Sequence, residues 1–168
     1  MATLRQATTD DALAVARVHV RSWQVGYRGL IADDLLDEMN APERASRYHF
    51  DDESPRSPRT LVAVDDELVL GFVTWGPSND HDASGDEIHA LYVDPDQWGR
   101  GVGTLLLEGA TTILRDGRSD QLHLWVLEGN TRAERFYRAR GWTFDGASRR
   151  EVVWGVEVLA NRFSRRLD

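Results

Sequence analysis

"VDPDQWGRGVGTLLLEGA", residues 93–110, passes from what reads as the end of a strand, through glycines at 99, 101 and 103, straight into an apolar helix. A turn that only reverses the chain manages with one glycine. Glycines at alternate positions let a bound group approach the main chain. The turn also opens a helix, where the first N–H groups lack partners and the peptide dipoles sum to roughly +0.5 charge, so the place suits a phosphate. Two common phosphate fingerprints nevertheless fail. The dinucleotide pattern wants a further glycine where Thr104 or Leu106 stands, and the P-loop wants a lysine, which the chain lacks altogether.

Outward from this turn, the helix carries Leu106, Leu107, Ala110, Ile113 and Leu114 as one apolar stripe, with Glu108, Thr112, Arg115 and Asp116 opposite. Upstream lie the strand pattern "EIHALYVD" and, before the polar loop "PSNDHDASGD", the strands "TLVAVD" and "ELVLGFVTWG", joined by "DDE" as a hairpin. Further back, "TLRQAT" reads as a strand and "TTDD" as the start of a helix through "ALAVARVHVRSW". "GYRGLIADDLLDEM" supplies a turn and a short helix, and Pro42 starts a third segment running to about Phe50. Downstream, "QLHLWVL" returns as a strand. "NTRAERFYRAR" is a helix capped by Asn130 and ended by Gly141, and "GWTFDG" and "REVVWGVEVLANRFS" are two closing strands. This order predicts an α+β (or three-layer α/β) fold, a mostly antiparallel sheet with one strand–helix–strand crossover at its centre.

Composition narrows the function. A chain of 168 residues, 41% hydrophobic and 29% charged, has the makings of one domain with a real core, and no apolar run approaches the ~20 residues that cross a bilayer. The opening "MATLRQATTDD" lacks a basic segment followed by an apolar stretch, so the expected compartment is the cytoplasm. With no cysteine and no lysine, disulfides, thiol chemistry and lysine Schiff bases are excluded. The net charge of −8 argues against general nucleic-acid binding while leaving room for one phosphorylated ligand, held locally by turn amides and Arg100.

Taken together, "VDPDQWGRGVGTLLL" and "NTRAERFYRARGW" resemble the two core motifs of the GCN5-related N-acetyltransferases, the GNAT superfamily. The likeness extends to "HVRSWQVGYRGLIADDLLDEM", similar to the family's first two helices, and to "ANRFSRRL", similar to its closing strand, so it covers most of the chain. It departs from the pattern at Trp98, where the family usually has Gln or Arg.

The resemblance implies one N-acetyltransferase domain over residues 1–168, with about seven strands, about four helices and splayed central strands. It implies acetyl-CoA as cosubstrate and an amine acceptor, small or peptide. Leu91, Tyr92 and Val93 fall to the pantetheine arm, and Gly99, Arg100, Gly101, Val102, Gly103 and Thr104 to the pyrophosphate. Asn130 matches the family asparagine that also reaches the cofactor, although a plain helix cap explains it too. Tyr137, seven residues on, matches the tyrosine acid; without the resemblance it reads as a half-buried aromatic with its polar tip in water. Glu87, fourteen residues before Gly101, has the spacing of the general-base glutamate of the histone-acetylating branch. Strand alternation puts Glu87, His89, Leu91 and Val93 on one face, making His89 a second candidate base or a relay. Trp23 and Tyr27 sit where the family places its acceptor-binding helices, and core packing is the alternative for both. A homodimer is the family analogy.

A metal is not expected: Asp80, Asp82, Ser84 and Gly85 mimic half of a calcium loop, but its twelfth position is Leu91 rather than glutamate. The acids Asp33, Asp34, Asp37 and Glu38 read as the solvated side of a helix. Two rival functions remain. One is a module that holds acyl-CoA without chemistry, and the other is a transferase for protein N-termini or aminoacyl-tRNA.

Overall fold

The helix that the glycine turn opens, α4, runs from Val102 to Asp116 and buries Leu106, Leu107 and Ala110 completely. Each buried leucine contributes about 1.5–3 kcal/mol of apolar burial. Ile113, expected in the same stripe, is 46% exposed, and Thr111 turns inward instead. The computed structural model of the chain describes residues 1–153 and 155–168. Its elements are β1 (Thr3–Gln6), α1 (Ala12–Gly26), α2 (Asp33–Glu38), α3 (Ala41–Ala45), β2 (Arg59–Asp65), β3 (Leu68–Pro77), β4 (Asp86–Val93), α4 (Val102–Asp116), β5 (Gln121–Leu127), α5 (Thr131–Arg138), β6 (Thr143–Val153) and β7 (Val156–Arg166).

The strands form one seven-stranded sheet in the order β1-β2-β3-β4-β5-β7-β6. All pairings are antiparallel except β4 with β5. Helix α4 covers one face, where its leucines meet Val73, Trp75, Leu122, Leu124 and Phe163. Helix α1 covers the other, with Val15 and Val18 against Val62 and Phe72. Two layers of helix on a sheet make the expected three, with five α-helices among the described residues rather than about four. Among the described residues no helix is long and apolar enough to cross a membrane.

Local signals explain the boundaries. Asp11 accepts from the Thr8 N–H at 2.7 Å just before α1, and Asn40 accepts from Glu43 N at 2.9 Å to start α3 around Pro42. The third helix stops at Ala45, short of Phe50, because the following residues turn back to place Tyr48 against His19. The last two strands divide differently from expectation. "GWTFDG" and "REVV" belong to one strand, β6, interrupted by a register shift between Phe144 and Ser148 at the left-handed Gly146. The break within "REVVWGVEVLANRFS" falls at Gly155, whose φ of +79° suits a tight reversal; Trp154 lies outside the described residues.

Two irregularities of β4 open the centre of the sheet. Its parallel ladder with β5 covers only Asp86–Ile88 against Leu122–Leu124, after which the two strands part. Its register with β3 jumps from Thr74↔Ala90 to Trp75↔Ile88, so His89 is an extra, bulged residue. The bulge breaks the expected alternation. Leu91 and Val93 join Ile88 on the α4 face, whereas Ala90 and Tyr92 pack on the α1 side.

Candidate active site

Where β4 and β5 separate, a cavity of about 530 Å³ opens, a size typical of small-molecule sites. One end is the glycine turn. Gly99 and Gly101 hold φ of +75° and +84°, and an added Cβ at either would meet nothing within 4 Å, so the turn is open to an approaching group. Gly101 is the N-cap of α4, which leaves the amides of Val102, Gly103 and Thr104 without intrahelical acceptors. Arg140 braces this end by donating from Nε to Thr104 Oγ1 at 3.1 Å.

Along the wall, strand alternation decides which main-chain groups are free. Tyr92 is paired with Phe72 and turns its peptide toward β3, so Leu91 and Val93 turn theirs to the gap. The Val93 carbonyl already accepts from Trp98 Nε1 at 2.8 Å and from Ser22 Oγ at 3.3 Å. Leu91 therefore has the freer backbone, and Tyr92 also lines the cavity. Trp98, the residue that departs from the family pattern, is a brace. Its indole ties β4 to the turn and carries the Arg132 guanidinium 3.5 Å from its ring centre. Burial lowers the Arg132 pKa, and among the described residues no carboxylate pairs with it.

The opposite wall comes from α5. The Asn130 side chain accepts from Ala133 N at 3.2 Å, so the cap is real, and the residue also faces the cavity. Tyr137 is buried, edge-on to Phe136 and Trp142, and burial pushes its hydroxyl pKa up while the Arg132 charge pulls it down. Its proton stays on at neutral pH. Tyr27 enters from the end of α1 and lines the cavity. Trp23, one turn earlier, does not; it is buried behind Tyr27, edge-on at 4.5 Å, with Ile31 and Leu36.

At the base of the gap, His89 lines the cavity and Glu87 does not. Glu87 is 6% exposed, its Oε1 3.5 Å from His89 Nδ1 and its Oε2 3.4 Å from His123 Nε2. Burial alone would raise the Glu87 pKa, but the neighbouring imidazoles of His123 and His89 outweigh it and hold the group at about 2. Gly76 makes room for the imidazole, since a Cβ there would come within 3.3 Å of His89 Nε2. Arg100 is exposed to solvent and is not part of the cavity lining.

The structure thus brings Tyr27, His89, Leu91, Tyr92, Val93, Gly99, Gly101–Thr104, Asn130 and Tyr137 to one cavity, and leaves Trp23, Glu87 and Arg100 outside its lining. Arg132, Arg140 and Trp125, none of them expected from the sequence, also line it. A signal for the two arginines was available: "NTRAERFYRAR" carries four arginines and a single acid, more cations than its own turn can pair.

A model of the acetyltransferase (GNAT) family matches residues 23–142. The chain is 33% identical to the uncharacterized N-acetyltransferase YuaI of Bacillus subtilis over 77% of its length and 74% of that protein's. It is 31% identical to the peptidyl-lysine N-acetyltransferase YjaB of Salmonella typhimurium over 56% of each chain. Its fold superimposes on the PaiA N-acetyltransferase of Thermoplasma acidophilum, solved in complex with coenzyme A, with a TM-score of 0.76 at 19% identity and 99% coverage of both chains.

Proposed function

This chain belongs to the GNAT family of acetyltransferases, and from that membership we propose that it transfers acetyl from acetyl-CoA to a primary amine, with His89 as base and Tyr137 as acid. One catalytic domain over residues 1–168 is part of the reading. The observation that carries it is the division of labour at the foot of β4: the imidazole of His89 faces the cavity, and the carboxylate of Glu87 stands behind it at 3.5 Å.

Acetyl-CoA fits the residues present. The open glycine turn and the free amides of Val102–Thr104 would hold its pyrophosphate, with Asn130 and Arg132 alongside. The main chain of Leu91 and Val93 would hold its pantetheine arm in the gap between β4 and β5. When bound, it supplies an acetyl group activated as a thioester. The chain's own residues supply the two proton transfers.

An alkyl ammonium has a pKa near 10.4, so about one molecule in a few thousand is a free nucleophile at neutral pH, and a base recovers part of the roughly 4–5 kcal/mol this costs. Glu87 is unsuited to touch the amine: it is off the cavity wall, and at about 2 it is too acidic to take a proton readily. It is well suited to orient His89 and to stabilise the charge that His89 acquires, which revises the preference for Glu87 as the base. Tyr137 keeps its proton because it is buried, so it has one to give to the departing thiolate. Tyr27 and Trp125 would flank the acceptor.

The test begins with thermal unfolding. Acetyl-CoA at about 100 times its dissociation constant should add roughly 2.7 kcal/mol, or about 5–10 °C for a chain of this size. An acceptor screen that monitors free thiol should then find release with some amine. Saturable binding with no release from small amines, lysine peptides or peptide termini would replace the transferase reading with a holding module.

A further inference from the structure

On the side of Glu87 away from the cavity, β5 presents His123, its register partner in the short parallel ladder. His123 is 1% exposed. Its Nε2 lies 2.8 Å from Ser78 Oγ, 3.3 Å from Asp80 Oδ2 and 3.4 Å from Glu87 Oε2. Two carboxylate oxygens and a hydroxyl around one nitrogen call for a hydrogen on that nitrogen. The two acids differ in their other partners. Asp80 is already satisfied: Arg149 donates to Oδ1 at 2.9 Å, Trp125 Nε1 donates to Oδ2 at 2.9 Å, and Arg162 stands 3.8 Å away. Among the described residues no arginine pairs with Glu87, and its Oε2 has no well-formed hydrogen bond.

We propose that His123 is a positioning residue for the transfer, whose Nε2–H, steadied by Ser78 and Asp80, draws on the Glu87 carboxylate from behind and so sets how strongly that carboxylate supports His89. The proposal rests on the reading of His89 and Glu87 as the base and its support. Glu87 divides its charge between an imidazole at the cavity and an imidazole in the core. Whatever His123 takes of that charge is withheld from His89. The charged groups around His123 are Glu87 from β4, Asp80 from the loop before β4 and, through Asp80, Arg149 of β6 and Arg162 of β7. Asp80, Glu87 and His123 also hold one ligand atom each within 4.8 Å of the others. A proton suits this gap better than a metal ion, because Arg149 already neutralises Asp80 and Trp125 occupies the oxygen nearest His123.

The pH dependence of kcat/KM, measured by thiol release with one acceptor, tests this in four proteins. Glu87→Gln removes the anion and should move the acid limb down by about one pH unit or more. His123→Leu removes the competing donor and should move it up by about one unit, so that activity lost at pH 7 returns at pH 9. His123→Gln keeps an N–H donor and should stay closer to the wild type than His123→Leu does. KM for acetyl-CoA should not change in any of them. If Glu87→Gln shifts the limb and His123→Leu does not, the proposal is overturned while the His89–Glu87 pair stands; if neither shifts it, the pair itself is wrong. Should His123→Leu fail to fold, long-range 1H–15N spectra of the wild type decide. A protonated Nε2 on His123 that responds as His89 titrates supports the proposal, and a bare Nε2 overturns it. Stoichiometric zinc or manganese in the purified protein, lost in His123→Gln, also overturns it.

Discussion

The two ends of the cavity are built on different principles. In the proposed reading the working groups at the glycine turn are main-chain amides, freed by the start of α4 and exposed because Gly99 and Gly101 carry no side chain. At the foot of β4 they are side chains from separated segments: His89 on a bulge, Glu87 behind it, His123 from β5 and Asp80 from a loop. The first end demands little of neighbouring side chains. The second works only if the sheet register brings four residues within hydrogen-bond range. Substitutions at the turn should therefore act on cofactor affinity, and substitutions at the foot of β4 on turnover and its pH dependence.

The largest effect is expected at the second end. His89→Ala should lower kcat by about 10²–10⁴-fold, the usual range for a lost general base, with the dissociation constant for acetyl-CoA unchanged. Stopped-flow thiol release and a separate binding titration check the two halves of that statement. A matching loss in cofactor affinity would erase the distinction between the ends.

Next comes acid stability. The Glu87 carboxyl sits at about 2 in the folded chain against an ordinary 4.5. A depressed folded value means that the group's stabilisation is complete above pH 4.5 and disappears as the pH falls through about 2. For so buried a group it amounts to about 3 kcal/mol. The difference in urea-unfolding free energy between wild type and Glu87→Gln should shrink by that order between pH 5 and pH 2. A constant difference would mean that Glu87 is not the buried anion on which the second end depends.

These two ends also differ in how much of them a reader of the sequence can see. A main-chain site leaves its mark as composition: glycines at alternate positions, a helix start, an asparagine cap at Asn130. A side-chain site made by register leaves almost none. "EIHALYVD" alternates well enough to place Glu87 and His89 on one face with Leu91, yet the bulge at His89 rearranges the set, and no glycine or proline advertises it. His123 lies 36 residues beyond Glu87, and only the parallel pairing of β4 with β5 makes them neighbours. The sheet and its crossover were legible because each strand's pattern is local; the brace formed by Trp98 was not, because its partners Val93 and Arg132 come from β4 and α5.

At the turn, Gly101→Val should weaken acetyl-CoA about 10–100-fold and leave kcat nearly intact. A β-branched residue at φ +84° is strained by at least 1–2 kcal/mol, and its side chain would stand over the amides it exposes. Isothermal titration measures the loss directly. A fall in kcat with affinity preserved would show the turn acting on chemistry, and the two ends would no longer divide the work.

The smallest expected effect separates two ways in which Trp98 can brace the turn. Trp98→Phe removes the Nε1–H bond to the Val93 carbonyl, which keeps only the longer contact with Ser22 Oγ, while a flat ring remains under Arg132. One lost hydrogen bond is worth about 1 kcal/mol, so KM for acetyl-CoA should rise about fivefold with kcat unchanged. Trp98→Ala removes the bond and the platform together, and cation–π loss at an exposed arginine adds a further ~0.5–1 kcal/mol. If the phenylalanine variant matches wild type and only the alanine variant weakens cofactor binding, the turn is steadied through Arg132 and α5. If both weaken it equally, the hydrogen bond to β4 does the steadying, and the grip at this end is a matter of main chain from the strand to the helix.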